Sequence, residues 1–382
     1  MTTGKEKKRV IIIGGSGMIG GALVHYFSKC CNNRLEVLSP NSKKLNLKDA
    51  FDIERYFRLW RPDCIINTAI SSIDSDPTLA WQINYVGAVN LAKVALALDI
   101  PYIFISSAAA LPAGNDIGDD EYLPLTAGLS NYSKSKLMCE QTLKHLQERE
   151  GLDYTIIRLA IVYGKHDYKI QGFHRLLFSI VDQALPLLFT AKGVKHSYTN
   201  ARKVPLFVHH ILETRGDHSG QIYNFVDEEP VELAQLILTI RNYIDVKRPR
   251  KIFFPYRPAK IGADCLRLLL KMLLKLGVEA KMPPELLFLE QCYRSQTLNI
   301  AKLQSSGFVD PWPHETIYSN LPDMLQYYIE RWEHLNLISG FNKDKDFYPS
   351  SSEVKNFLHS PTELLEEIHT GKLSPFQDFE EI

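Results

Sequence analysis

The run Arg9-Val-Ile-Ile-Ile-Gly14-Gly-Ser-Gly17-Met-Ile-Gly20 constrains this chain more than any other stretch. Its apolar, β-branched half predicts a strand buried on both faces. The strand runs into a glycine cluster, and the helical pattern Gly21–Lys29 begins inside it. Gly14 permits a tight turn, Gly17 leaves the backbone open to a pyrophosphate, and Gly20 lets the helix approach the sheet. The first turn of that helix would then present free N–H groups and its positive dipole end to the phosphates. The spacing is Gly-x-x-Gly-x-x-Gly, one residue longer at the front than the usual dinucleotide fingerprint. An ordinary glycine-rich turn is the plainer explanation. The position directly after a first strand favours a dinucleotide.

Strands and helices then alternate. Strands are expected at Leu35–Leu38, Asp63–Asn67, Tyr102–Ser106 and Tyr154–Ile161, with helices at Leu47–Trp60, Asp76–Leu98 and Asn131–Glu150. That order predicts an α/β fold with a doubly wound parallel sheet, whose ligands bind at the carboxyl ends of the strands. Beyond Gly164 the pattern loosens. Val204–Val208 and Gln221–Val226 read as strands and Pro230–Tyr243 as a helix. The expected division is 1–165 for the dinucleotide-binding domain and 166–338 for a smaller substrate-binding lobe, some of whose elements return to the first sheet. Residues 339–382 form a polar extension, in which Ser360-Pro361-Thr362-Glu363 is a capping box for a helix Pro361–Thr370 that Gly371 stops.

Gly262–Leu276 is leucine-rich, with Arg267, Lys271 and Lys275 stepping by four along one stripe. It reads either as a basic helix on a membrane surface or as a cover for the core or cleft with its cations reaching into water. The cover is the expectation. The 44 basic and 44 acidic residues cancel, so no net field recruits nucleic acid. Six scattered cysteines lack metal-ligand or disulfide spacing and fit a reducing compartment. Met1–Arg9 is polar and basic without a signal peptide's apolar stretch, and no apolar run is long enough to span a bilayer. A cytoplasmic protein is expected.

Tyr132 and Lys136 stand one helical turn apart on the same face of the expected helix Asn131–Glu150. An ammonium there favours tyrosinate and lowers the phenol's pKa, which suits a proton donor or acceptor near neutral pH. Ser107, after the Tyr102–Ser106 strand, can reach the same substrate oxygen. A Tyr-x-x-x-Lys pair alone is common by chance. The order of glycine loop, Ser-Ser and Tyr-x-x-x-Lys gives it meaning.

With these motifs the chain resembles the extended short-chain dehydrogenase/reductases, the NAD(P)-dependent epimerase/dehydratase and dTDP-4-dehydrorhamnose-reductase-like group of Rossmann-fold enzymes. Pro62–Ala69, Asp76-Pro77, Asn84–Ala92, Ile105–Ser107 and Arg158–Gly164 match its conserved blocks, and Thr297–Pro311 its late segment. The resemblance implies Tyr132 as general acid/base, Lys136 as its pKa tuner and ribose ligand, and Ser107 as orienter of the reacting oxygen. It implies cofactor contacts from Gly14, Ser16, Gly17, Met18, Ile19, Gly20, Ser39, Lys43, Lys44, Asn46, Leu47, Thr68, Ala69, Ser72 and Asn84, and no metal. Hydride transfer at a secondary alcohol or ketone of a nucleotide sugar is the implied reaction, and a homodimer the implied assembly.

Departures narrow the choice. Ala108 and Ala109 stand where the 4,6-dehydratases carry Asp-Glu, and Ile161 where the 4-epimerases carry asparagine. Leu79–Asn84 is similar to the dTDP-4-dehydrorhamnose reductases, although their Asp-Tyr-Val-Phe continuation after the serine is absent. His209 and His210 replace an acidic pair and are expected on a surface loop. Two alternatives stay open: a 3β-hydroxysteroid-dehydrogenase-like enzyme, suggested by Pro255-Tyr256 and Met282-Pro-Pro284, and a cofactor-binding regulatory subunit without turnover. NADP is expected over NAD. Glu36 falls too early in the second strand to hold a ribose 2′-hydroxyl, and Ser39, Lys43 and Lys44 suit a phosphate.

Overall fold

A computed structural model describes residues 7–74, 76–181, 187–244, 250–275, 289–338, 360–370 and 372. The expectations on Leu276, Met282-Pro-Pro284, Gly371 and most of 339–382 fall outside the described residues. Two compact units divide the chain, Met1–Glu330 and Arg331–Ile382.

In the first unit, β1 (Lys8–Ile13) leads to α1 (Met18–Cys30), then β2 (Leu35–Leu38), α2 (Ala50–Trp60) and β3 (Cys64–Asn67). A continuous helical stretch follows: α3 (Pro77–Leu79), a π-helical segment (Ala80–Gly87) and α4 (Ala88–Leu98). Next come β4 (Tyr102–Ser107), β5 (Gly114–Ile117), α5 (Asn131–Glu150), β6 (Tyr154–Leu159) and β7 (Ile161–Tyr163). The later part holds α6 (Gly172–Val181), β8 (Leu187–Thr190), β9 (Lys195–His196), β10 (Tyr198–Asn200), α7 (Val204–Glu213), β11 (Gln221–Phe225) and β12 (Val231–Glu232). It continues with α8 (Leu233–Tyr243), β13 (Arg250–Phe253), α9 (Tyr256–Lys275), β14 (Gln296–Leu298) and the short α10 (Ala301–Gln304).

Six strands form one sheet in the order β11-β6-β4-β3-β1-β2, and every pair in it is parallel. Alternate residues of β1 bury on opposite faces, which explains its unbroken apolar run. Ile11 and Ile13 join the core under α2, α4 and α5. Val10 and Ile12 join the core under α1 and α7. The strand order reverses at β1, between β2 and β3, and that is where an open α/β sheet takes its ligand. The return of β11 to the edge of β6 brings the later part of the chain back to the first sheet.

Several expectations change in detail. Val204–Val208 is helical. Val204, Phe207, Val208 and Ile211 bury at helical spacing, and Pro205 sits in the first turn, where a missing N–H is harmless. β-Branching alone misread it. The His209–His210 pair therefore lies on α7, not on a loop. His209 faces Tyr26 Oη at 3.0 Å and Cys31 Sγ, and His210 faces the Ser306 carbonyl. The helix expected from Leu47 starts at Ala50, after Asp49 caps Phe51 and Asp52. In the second unit a helix spans Pro361–His369, but Ser360 makes no side-chain cap, so the capping box does not close.

Candidate active site

Four segments meet at the carboxyl edge of the sheet: the glycine loop after β1, Thr68-Ala69 after β3, Ser107 at the end of β4, and the first turn of α5. The loop follows from its backbone. Gly14 sits at φ +87°, and a Cβ there would lie 2.7 Å from Thr68 Oγ1 and 2.8 Å from Ala69 N. A Cβ on Gly20 would lie 2.2 Å from the Gly14 carbonyl oxygen, so that glycine lets α1 close on the loop. Gly17 differs. The nearest atom to a Cβ there is the Gly14 oxygen, at 3.4 Å, and no other described atom outside its own helix and chain neighbours comes within 4 Å.

Gly17 also caps α1 without a side-chain acceptor, and no acid lies in its first turn. The leading N–H groups, those of Met18 and Ile19 among them, therefore make no bond to a cap side chain. Ser16 belongs to the same loop. Thr68 binds the Ile13 carbonyl through both its N–H and its hydroxyl, which fixes the second loop against the first. Ala69 N bonds Asn67 Oδ1.

Asn84 sits in the π-helical segment, a distortion common at functional sites. Its Oδ1 accepts from Ser71 N at 2.7 Å and from Ser71 Oγ at 3.1 Å. Its amide Nδ2 is buried and finds no partner among the described residues. Gly87, at the end of that segment, approaches the Leu47 carbonyl so closely that a Cβ would stand 3.0 Å from it. The Asn46-Leu47 loop is thereby held beside the helix, with Asn46 N on Asp52 Oδ2.

α5 opens with Ser130 accepting from Ser133 N and places Tyr132 in its first turn. Tyr132 is half-buried. Burial raises its pKa, and a hydrogen bond with Ser107 pulls the other way. Ser107 Oγ also accepts from Ala109 N at 3.2 Å. Lys136, one turn later, is 2% exposed. Its Nζ donates to the Ile105 carbonyl at 2.7 Å and stands 5.9 Å from the Tyr132 ring centre. Burial pushes the ammonium down to about 8, against the upward pull of Cys139 and Glu140. These directions correct the expectation from spacing. Tyr132 is raised, not lowered, because desolvation acts on both groups and the lysine is aimed at a backbone carbonyl.

The residues expected to contact a cofactor divide. Ser39 gives its hydroxyl proton to the Ile12 carbonyl, which leaves it acceptor capacity only. Lys43 and Lys44 are exposed, on a turn whose N–H groups both bond Asn41 Oδ1 at 3.1 Å. Glu36 is held by Arg9 at 2.7 Å, away from the strand's tip. Ser72 accepts from Gln171 Nε2 at 2.6 Å.

That last contact belongs to a clasp that sequence reasoning missed. Lys169 Nζ bonds the Ser71 carbonyl, and Arg175 pairs with Asp74 at 2.7 Å. Two buried charge networks were also missed. Arg158 and Glu140 pair at 2.7 Å with no side-chain exposure, and Glu140 also accepts from Ser106. Tyr163 Oη donates to Asp227, whose carboxyl burial raises to about 6, and Lys203 reaches Asp310 at 2.8 Å. Arg158 and Tyr163 were visible as a motif; their partners lie too far along the chain to be guessed.

The NAD dependent epimerase/dehydratase family model matches residues 10–224, more than half of the chain. The chain belongs to this family. Curated relatives include methionine adenosyltransferase 2 subunit beta of Xenopus laevis, 28% identical over 185 residues, covering 46% of this chain and 53% of the relative. A putative UDP-glucose 4-epimerase of Methanocaldococcus jannaschii is 25% identical over 179 residues, covering 41% of this chain and 56% of the relative. The chain thus spans about half the length of the curated relatives it matches. Among solved structures, a dTDP-4-dehydrorhamnose reductase from Bacillus anthracis in complex with NADP aligns with a TM-score of 0.58. It is 18% identical and covers 85% of this chain and 99% of its own, a likeness of fold.

The site fits the dinucleotide that the family name implies. A Cβ on Gly17 would meet only the Gly14 carbonyl oxygen among the described residues, so the backbone there can be approached by a pyrophosphate, and the first turn of α1, without a side-chain cap, offers it N–H donors. Among the described residues, no group of three or more His, Cys, Asp or Glu is gathered to hold a metal. No helix among them is long and apolar enough to cross a membrane.

Proposed function

We propose that this protein is an NAD(P)-dependent oxidoreductase or epimerase acting at a secondary alcohol or ketone of a nucleotide sugar. The observation that carries it is the hydrogen-bonded Ser107–Tyr132 pair beside a buried Lys136, on the sheet edge that also holds the open glycine turn. The dinucleotide, bound across Gly14–Gly20, supplies the hydride acceptor or donor. The protein's own residues position the substrate and move the proton.

With its pKa raised, the Tyr132 phenol is protonated at neutral pH and ready to give its proton to a carbonyl oxygen in the reductive direction. Ser107, within hydrogen-bond reach of the phenol, donates to that same oxygen and fixes its lone pairs. Lys136, charged below about pH 8, favours the tyrosinate left behind and can turn toward a ribose hydroxyl. The absence of an acid at Ala108 and Ala109 argues against dehydration. Reduction of a 4-keto sugar or epimerisation remains.

NADP is the favoured cofactor. Glu36 is neutralised by Arg9, and Lys43 and Lys44 are exposed on the turn beyond β2. Since Ser39 is committed to Ile12, this preference rests on the two lysines. Residues 1–165 serve the cofactor and 166–338 supply most of the substrate lobe. A cytoplasmic setting suits the six free thiols.

The test is a screen of sugar nucleotides and hydroxysteroids followed by NAD(P)H absorbance. Tyr132→Phe should abolish turnover of the substrate found and leave cofactor binding intact. Wild-type activity in that variant would refute the mechanism, and turnover of a steroid alone would replace the sugar. A second reading, a regulatory subunit, is favoured by the likeness to methionine adenosyltransferase 2 subunit beta. It is supported if the protein binds cofactor tightly and turns over nothing in the screen.

A further inference from the structure

Among the described side chains of α9 (Tyr256–Lys275), the buried ones lie on one side. Ala263 is buried and Ala259 partly so, against Leu289 and Tyr293, and Tyr256 meets the Tyr293 ring at 5.2 Å. At about 100° per residue, Ile261, Cys265, Leu268, Leu269 and Met272 fall on a stripe roughly opposite Ala259 and Ala263. That stripe lies open to solvent. Ile261 is 65% exposed, Leu268 58%, Leu269 53% and Met272 54%, and Cys265 is exposed. The expected cover over core or cleft therefore accounts for one side of this helix and leaves a second apolar stripe without a role.

Charge decides what that stripe fits. The helix sequence carries Arg257, Lys260, Arg267, Lys271 and Lys275 against the single acid Asp264. Arg257 and Lys260 are exposed and lie along one flank of the apolar stripe, with Asp264 between them on the helical wheel. An apolar stripe with a cationic flank suits an interface where hydrocarbon lies beneath anionic headgroups. A second copy of the same helix would bring like charges together across the seam. The exposed stripe is thus poorly matched to itself and well matched to an anionic bilayer.

We propose that α9 docks this protein peripherally on an anionic membrane surface, with Ile261, Leu268, Leu269 and Met272 in the acyl boundary and Arg257 and Lys260 at the headgroups. This goes beyond the proposed reaction and does not depend on it.

The test is flotation of the full chain with vesicles of phosphatidylcholine alone and of phosphatidylcholine mixed with phosphatidylglycerol. Binding is expected with the mixed vesicles, weakening as salt is raised. Leu268→Glu/Met272→Glu should abolish it with the circular-dichroism spectrum unchanged. Arg257→Gln/Lys260→Gln, which leaves the apolar stripe intact, should weaken it about thirtyfold, from roughly fivefold for each cation near an anionic surface. Equal binding to both vesicle types, no binding to either, or binding indifferent to both double variants would overturn the proposal. So would a dimer in solution that Leu268→Glu/Met272→Glu splits, since the stripe would then belong to a second copy.

Discussion

Replacing Lys136 by methionine should make this protein more stable at neutral pH while removing the proposed turnover. Lys136 is 2% exposed, and burial lowers its pKa from the ordinary 10.5 to about 8. At about 1.4 kcal/mol for each tenfold change, that drop means folding disfavours the charged lysine by about 3 kcal/mol. The sign follows from proton counting. Below about pH 8 the lysine is charged in both states and the whole penalty is present. Between about 8 and 10.5 the folded chain has released a proton that the unfolded chain still holds, so stability rises with pH. Above 10.5 the penalty is gone. Methionine keeps an unbranched stem and carries no charge, but it forfeits the hydrogen bond to Ile105, worth about 1 kcal/mol. A net gain of about 2 kcal/mol is expected at neutral pH, shrinking by about the same amount by pH 9.5. Urea unfolding of both proteins, followed by tryptophan fluorescence at neutral pH and at pH 9.5, measures it. A variant less stable at neutral pH, or an advantage indifferent to pH, would refute the reasoning.

Gly17→Val should change folding stability by less than about 1 kcal/mol, because its extended backbone and the 3.4 Å spacing of a Cβ from the Gly14 oxygen accept a branched side chain. Dinucleotide affinity should fall at least tenfold, and a fluorescence titration with unchanged affinity would sink the claim. Lys43→Ala/Lys44→Ala should lower the ratio of NADPH to NADH affinity, as read by paired titrations; an unchanged ratio removes the lysines from 2′-phosphate recognition. Glu140→Ala leaves Arg158 charged and buried, and should destabilise by about 3–5 kcal/mol. A thermal or urea midpoint near wild type would mean that water or another acceptor takes over.

The elements written in local periodicity were legible. α5 has the bounds Asn131–Glu150 that its pattern and the stop at Gly151 predict. β1 buries on both faces as an unbroken apolar strand should. Two local readings differ from the structure. Val204–Val208 has β-branched residues at positions that also satisfy a helical period, and tertiary packing chose the helix. Ser360 stands where a cap belongs, yet its side chain does not take up the bond.

The sequence by itself determined the order of strands and helices, the glycine turn, and the succession Ser107, Tyr132, Lys136 that marks the family. The elements and the turn depend on residues within a few positions of each other, which backbone geometry fixes directly, and the succession is read from order along the chain. Only the tertiary structure decided the rest. Asn84 Nδ2 is buried without a partner among the described residues, Lys169 and Arg175 reach Ser71 and Asp74, and Arg9 takes Glu36 out of play. The sign of the Tyr132 shift belongs here too. Spacing along a helix tells which side chains are neighbours, but a pKa depends on how much water burial removes and where each proton points. Both are set by contacts between residues far apart in the chain.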